Sequence, residues 1–276
     1  MKKTRKTIRL NAGIAMLTVI AFIMIFAGVL APNDPDKIDM DFRLSAPSNQ
    51  MPLGADAYGR CILSRLLYGS RYSVGLAVLI IGSVAVLTVP IGLVAVYKGG
   101  IADRIFLLSC DVSMALPPTV LVLAIMGVMG NGTGNLLLCS IFSYWGWYGR
   151  MLRSYTRTEL GKSYVLYART GGTSSAGIIL RHIFPNILPH LIVLLAVGMG
   201  DSILMISGFS FLGIGLPTGT PEWGAMLAES KSMLLRAPQF AIYPGICVVL
   251  TVCACNFLGE GLRFRLSPYR RGLDYE

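Results

Sequence analysis

Residues 150–189 read RMLRSYTRTELGKSYVLYARTGGTSSAGIILRHIFPNILP. The stretch is polar and punctuated by turns, and it holds six of the chain's 24 Lys and Arg residues. Its punctuation predicts two short helices. Ser163 is placed to cap the first, Gly171 and Gly172 to end it, and Thr173 or Ser174 to cap the second. Pro185 and Pro189 are expected to stop or redirect the chain, since each removes an N–H and clashes with the preceding turn. A polar helical hairpin is either a plain loop or a docking surface. The flanking sequence decides which.

Both flanks are apolar. The 276 residues are 54% hydrophobic and 14% charged, and the mean hydropathy is positive at +0.64. Several runs reach the roughly 20 apolar residues that a helix needs to cross a bilayer. A soluble domain is excluded, and the fold class is an all-α polytopic membrane protein. Six transmembrane helices are predicted, over 10–30, 72–97, 105–128, 135–149, 187–212 and 239–259. Pro117 and Pro118 interrupt the third, freeing backbone carbonyls that need partners inside protein or a wet cavity. The fourth is short, with Trp145, Trp147 and Tyr148 at headgroup level near its inner end, and is expected to run on into the cytoplasm. The first, behind MKKTRKTIR, exceeds a signal-peptide core and has no small-residue cleavage site, so it reads as a retained span. Residues 32–71 are polar and Asp-rich and are expected outside, ending in an amphipathic helix. Residues 213–238 form an outer loop with some helix.

The net charge of +10 could point to nucleic acid, but its distribution points to the bilayer. Five Lys/Arg precede the first span, two lie in the 98–104 turn, six in the hairpin and four in the tail, 17 in all. The segments assigned outside hold 7. That asymmetry puts both termini in the cytoplasm and needs no nucleic-acid partner. The division is residues 1–71, an N-terminal anchor with its extracytoplasmic segment, and 72–276, a five-helix core that includes the 150–189 hairpin.

Little here supports catalysis. Thr156–Ser163 (TRTELGKS) comes close to a phosphate-binding loop, yet Thr156 stands where the first glycine belongs and no buried strand precedes it. His182 and His190 flank a Pro-rich bend without paired acids or a helix-borne metal motif. The six Cys residues fall mostly in apolar runs. Cys253 and Cys255 would point to different faces of a helix, so they are read as small buried hydrophobes. Two acids, Asp111 and Asp201, lie in the third and fifth runs. A carboxylate at mid-bilayer costs about 2.5–3.5 kcal/mol, so each either lines a polar route or bonds to a neighbouring helix.

Three stretches carry a family resemblance: PLGADAYGRCILSRLLYGSRYSVGL from residue 52, YVLYARTGGTSSAGIILRHIFPNILP from 164, and GFSFLGIGLPTGTPEWGAML from 208. In this order, spanning nearly the whole chain, they resemble permease subunits of bacterial ABC importers, specifically the dipeptide/oligopeptide/nickel permease family. The hairpin is similar to that family's EAA loop. Ala168 and Gly172 match the motif's last Ala and central Gly, and His182, Pro185, Asn186 and Pro189 match its R-H-x-x-P-N-x-x-P close. The motif's Glu falls at Leu166 and its first Ala at Tyr167, so this copy lacks the acid. In the outer segment, Ala55 replaces a Thr and Cys61 an Asp.

The resemblance implies a type I ABC importer permease fold in the bacterial cell membrane. It implies a second permease, two ATPase subunits and an extracytoplasmic binding protein as partners. It also implies no cofactor on this chain, with ATP and Mg²⁺ on the ATPases. The hairpin would then be a knob that sits in an ATPase cleft and moves as a lever. The favoured cargo is nickel or a related transition metal, free or chelated. Trp145-Gly146-Trp147-Tyr148-Gly149-Arg150 and Val165-Leu166 resemble nickel-type members, while di- or oligopeptide is the alternative. A secondary transporter or channel is the rival from another class.

Overall fold

The computed structural model describes residues 2–217 and 219–266. The last part of the expected basic tail, 267–276, lies outside these residues. Among them every regular element is helical. Helix α1 covers Lys2–Leu30, α2 Ile62–Lys98, α3 Gly100–Met114, α4 Pro118–Met129 and α5 Thr133–Leu160. After them come α6 (Ser163–Thr170), a three-residue turn α7 (Ser175–Gly177), α8 (Phe184–Phe211), α9 (Trp223–Ser230) and α10 (Gln239–Leu266).

Among the described residues four stretches are long and apolar enough to cross a membrane: Ile8–Leu30, Ile62–Lys98, Ser175–Phe211 and Gln239–Leu266. A fifth candidate is α3 with α4. The expected proline kink between these two is a full break, with the axes 79° apart. The reason is the double proline: Pro117 takes extended backbone at ψ 136, and Pro118 starts α4, where its missing N–H has no intrahelical partner to lose. α5 is long enough for a crossing, but its C-terminal half carries Arg150, Arg153, Arg157 and Glu159 and is too polar to qualify by composition.

The spans run further than the sequence pattern suggests. α2 begins at Ile62, so the amphipathic segment expected before Tyr72 is its first turns, and the 71/72 division falls inside one helix. At about 1.5 Å per residue its 37 residues reach about 55 Å, well beyond the bilayer core. α8 is likewise continuous with the hairpin. Pro185 and Pro189, expected to stop or redirect the chain, do not stop it: helix runs unbroken from Ser175 to Phe211. Pro185 sits in the first turn of α8, directly after a π-helical turn over Ile178–Ile183, whose wider ladder accommodates the ring.

The helices pack around one main core that includes Ile80, Val84, Met126, Leu136, Ile203 and Ile206. α1 lies along α10 and α2, α10 along α8, and α2, α3 and α4 along α5. α5 and α8 meet where Gly198 faces the Tyr148 ring, whose hydroxyl donates to the Leu194 carbonyl at 3.5 Å. A Cβ at Gly198 would overlap that hydroxyl.

At the end of α2 remote from the hairpin, charges clamp α9 in place. Arg60 donates to Asp56 (2.7 Å) and Glu229 (2.6 Å), and Arg65, 1% exposed, donates to Glu229 (3.2 Å) and the Gly219 carbonyl (3.3 Å). Glu222 is fully buried, accepting from Ser73 Oγ and the Ala225 N–H, both at 2.8 Å. It thereby caps α9. Trp223 Nε1 donates to the Leu66 carbonyl at 3.0 Å. Two of the stretches that carried the resemblance, one from residue 52 and one from 208, therefore meet in space.

Candidate coupling hairpin and translocation face

α6 forms the hairpin's first arm. Its N-cap is Lys162 in extended backbone, and Ser163, expected as the cap, is the first helical residue and makes no capping bond. A lysine cannot accept a hydrogen bond, so the start is held instead through Glu159. That carboxylate accepts from Lys162 Nζ (2.6 Å) and from the Tyr164 hydroxyl (2.7 Å). The near-match to a phosphate loop is thus a helix end tied to a turn.

The arm closes as expected at Gly171-Gly172. Gly172 has φ +78, the left-handed conformation in which a Cβ is strained. Its N–H donates to the Arg169 carbonyl (3.1 Å) and the Thr173 N–H to the Ala168 carbonyl (3.0 Å). This pair of bonds defines a Schellman turn, with Ala168 as its acceptor. Of the two caps expected for the second arm, Ser174 serves, accepting from the Gly177 N–H at 3.2 Å.

Asn186 joins the arms. Its Nδ2 donates to the His182 carbonyl at 2.6 Å and to the Tyr164 hydroxyl at 3.1 Å. Burial, with the bond to Glu159 next, pushes the Tyr164 hydroxyl up to about 12, so it stays a neutral donor at physiological pH. Beneath lies a small core of its own, with Leu152, Val165, Ile178, Ile183 and Ile187 fully buried. Arg169 lies over the Tyr97 ring, 5.0 Å from its centre, tying the hairpin to the end of α2. The hairpin is a packed knob, not a loop. Tyr164→Phe should cost it about 1–2 kcal/mol by leaving Glu159 and Asn186 each short of a partner. Amide exchange across α6 would quicken by a matching factor, and unchanged exchange would show that the hydroxyl holds nothing.

Glu159, Tyr164 and Tyr97 were not singled out from the sequence. The Glu159–Lys162 spacing is a local signal that could have flagged the first, whereas the Tyr164–Asn186 link exists only after folding. His182 contributes its carbonyl. His190 lies apart from it, its ring 5.2 Å from that of Tyr155.

The two acids separate. Asp111 on α3 accepts from Arg150 of α5 at 2.6 Å, and Asp103, buried nearby, accepts from Arg153 (2.6 Å) and Arg157 (2.7 Å). These pairs lash α3 to the hairpin end of α5. Asp201 on α8 is exposed and, among the described residues, has no hydrogen bond or ion pair. Among them no three His, Cys, Asp or Glu side chains converge on a metal-sized site. All six cysteines are free, with Cys255 buried and Cys253 partly exposed.

A multi-pass helical bundle with a packed polar knob between its spans has the build of a membrane permease. Residues 88–272 match the family described as binding-protein-dependent transport system inner membrane component, and the chain belongs to that family. A glutathione transport system permease protein of Pectobacterium atrosepticum is 36% identical over 266 residues, covering 96% of this chain and 88% of the relative. A nickel transport system permease protein of Escherichia coli is 32% identical over 266 residues, covering 96% and 95%. The chain is therefore a multi-pass inner-membrane permease of the peptide, nickel and glutathione group of ABC importers.

Proposed function

We propose that this chain is one of two permeases in an ATP-driven importer, working with a second permease, two ATPase subunits and an extracytoplasmic binding protein. The observation that carries this reading is the unbroken helix from Ser175, inside the knob, to Phe211. A knob with its own core, continuous with a spanning helix, transmits a displacement as a rigid body. ATP and Mg²⁺ belong on the partner subunits, and this chain binds no cofactor. In this assignment Ala168 and Gly172 shape the docking turn, while His182, Pro185, Asn186 and Pro189 set how the second arm enters α8. Leu166 and Tyr167 are 63% and 74% exposed, offering the ATPase an apolar face where the resembling motif has an acid.

The topology we propose has six crossings, with α5 as one of them and both termini cytoplasmic. In support, Arg150, Arg153 and Arg157 lie at the end of α5 that carries the knob. Residues 72–276 would be the working core and 1–71 the anchor and outer segment. Proteoliposomes holding the whole complex test this reading. Uptake should require ATP inside and the binding protein outside, whereas uptake by this chain alone on an ion gradient would make it a secondary transporter or channel.

The cargo we propose is nickel or a related transition metal, free or chelated. The residues at 145–150 and Val165-Leu166 support it as marks of kinship with nickel-type members. A di- or oligopeptide is the second reading, favoured by the higher identity to glutathione permeases, 36% against 32%. Calorimetry of the partner binding protein with nickel, nickel chelates and dipeptides distinguishes them.

A further inference from the structure

Among the described residues, Asp201 is the one carboxylate borne on an α-helix that has no hydrogen-bond or ion-pair partner. Asp103, Asp111, Glu159, Glu229 and Glu260 each meet a Lys or Arg. Its surroundings explain what could meet it. Residues 190, 194, 197, 201, 204 and 208 follow one another at spacings of four and three along α8, forming a stripe that this chain leaves exposed or half-exposed. The knob end of that stripe walls a cleft of about 510 Å³, where His190 and Val197 face Trp147, Met151 and Tyr155 of α5 and Arg263 of α10. Asp201 follows Val197 by one turn, just past the Gly198–Tyr148 crossing.

Depth makes the exposure informative. Asp201 lies ten residues before the end of α8 at Phe211, about 15 Å along the axis, or about half the bilayer core. A bare carboxylate at that depth in lipid is costly enough to be rare, so it faces water or another chain.

We infer that Asp201 is the point on the translocation route where a positive charge on the cargo is met, so that the route favours cationic cargo over anionic. The inference rests on the permease reading above, in which a second permease closes the exposed face into a route. One carboxylate without converging His, Cys or further acids offers no inner ligand set for a naked metal ion, so this chain's contribution is to a hydrated or chelated metal cation. Glutathione, anionic at neutral pH, would be repelled at the same point. The charge acts on passage, separately from the knob that couples to ATP.

The complete complex with its binding protein, in proteoliposomes, tests this with Asp201→Asn, Asp201→Ala and Asp201→Glu. The probes are radioactive nickel chloride, the monocationic 1:1 nickel–histidine complex, radioactive glutathione and a radioactive dipeptide. Asn and Ala should each lower nickel uptake about tenfold while Glu restores it, since the fixed negative charge on the cation route is what is removed. ATPase stimulation by the loaded binding protein should stay within about twofold in every variant, because the knob is untouched. Three results overturn the inference: unchanged nickel uptake in Asp201→Asn, a Glu variant as poor as Ala, or wild-type uptake of glutathione with none of nickel. A yield of assembled complex falling in step with uptake would also overturn it, by making Asp201 a subunit contact. Wild-type uptake of the dipeptide alone would overturn the inference too, whereas uptake driven by an ion gradient without ATP would instead reject the permease reading.

Discussion

A complex carrying Gly172→Val is expected to insert and assemble as wild type does, yet to lose most of its binding-protein-stimulated ATPase and its uptake. Space is not the obstacle, since a Cβ at Gly172 would meet nothing within 4 Å. The obstacle is the backbone. At φ +78 an L-residue pays about 1–2 kcal/mol, and a β-branched side chain stands at the unfavourable end of that range. That energy opposes the two turn bonds from Gly172 and Thr173 and shifts the population of the turn by a factor of about 5–30. The core under α6, built on Val165 and Ile178, holds the arms in the bundle, so the loss falls on the shape of the tip. Asparagine tolerates the left-handed region, so Gly172→Asn should keep much of the activity and alanine should fall between. Vesicle ATPase with and without loaded binding protein reads the order. Equal stimulation in Gly172→Val and wild type would mean that the tip plays no part in coupling.

How much of this was legible in the sequence depends on the range of the forces. The long apolar helices were readable because crossing a bilayer depends on composition along one segment, and Ile8–Leu30 or Gln239–Leu266 need no partner to declare themselves. The Gly172 turn was readable for the same local reason. Ends set by neighbours were not. Pro185 looked like a stop because nothing local announces the π turn that precedes it. Asp111 and Asp201 looked alike, each one acid in an apolar run. What separates them is Arg150, 39 residues from Asp111 and beside it only after α3 and α5 pack. The link from Tyr164 to Asn186 likewise spans 22 residues and depends on the hairpin having closed. Resemblance identified Asn186 as part of the site, but its work as a brace between the arms is visible only in the fold.

The second large effect is expected far from the knob, at Arg65. Its guanidinium is 1% exposed, and it holds Glu229 and the Gly219 carbonyl against the start of α2. Arg65→Met removes the cation but keeps much of the stem's bulk, so the change in charge dominates. Glu229 retains Arg60 at 2.6 Å, and its own side chain is 27% exposed, which moderates the penalty. Breaking a buried pair costs about 3–5 kcal/mol when the remaining charge is stranded, so about 2–3 kcal/mol is expected here. Arg65→Lys should recover less than half, because one ammonium cannot reach a carboxylate and a carbonyl in the fork geometry of a guanidinium. The loss should show as a lower thermal midpoint of the purified complex and as protease access to residues 213–238, which α9 and its clamp hold down. Replacing both partners, Arg65→Met with Glu229→Gln, tests the cause. Glu229→Gln removes the half-buried acid that Arg65→Met leaves with Arg60 alone, so the double variant should be less destabilised than the sum of the singles, and strict additivity would show that Arg65 acts by packing alone.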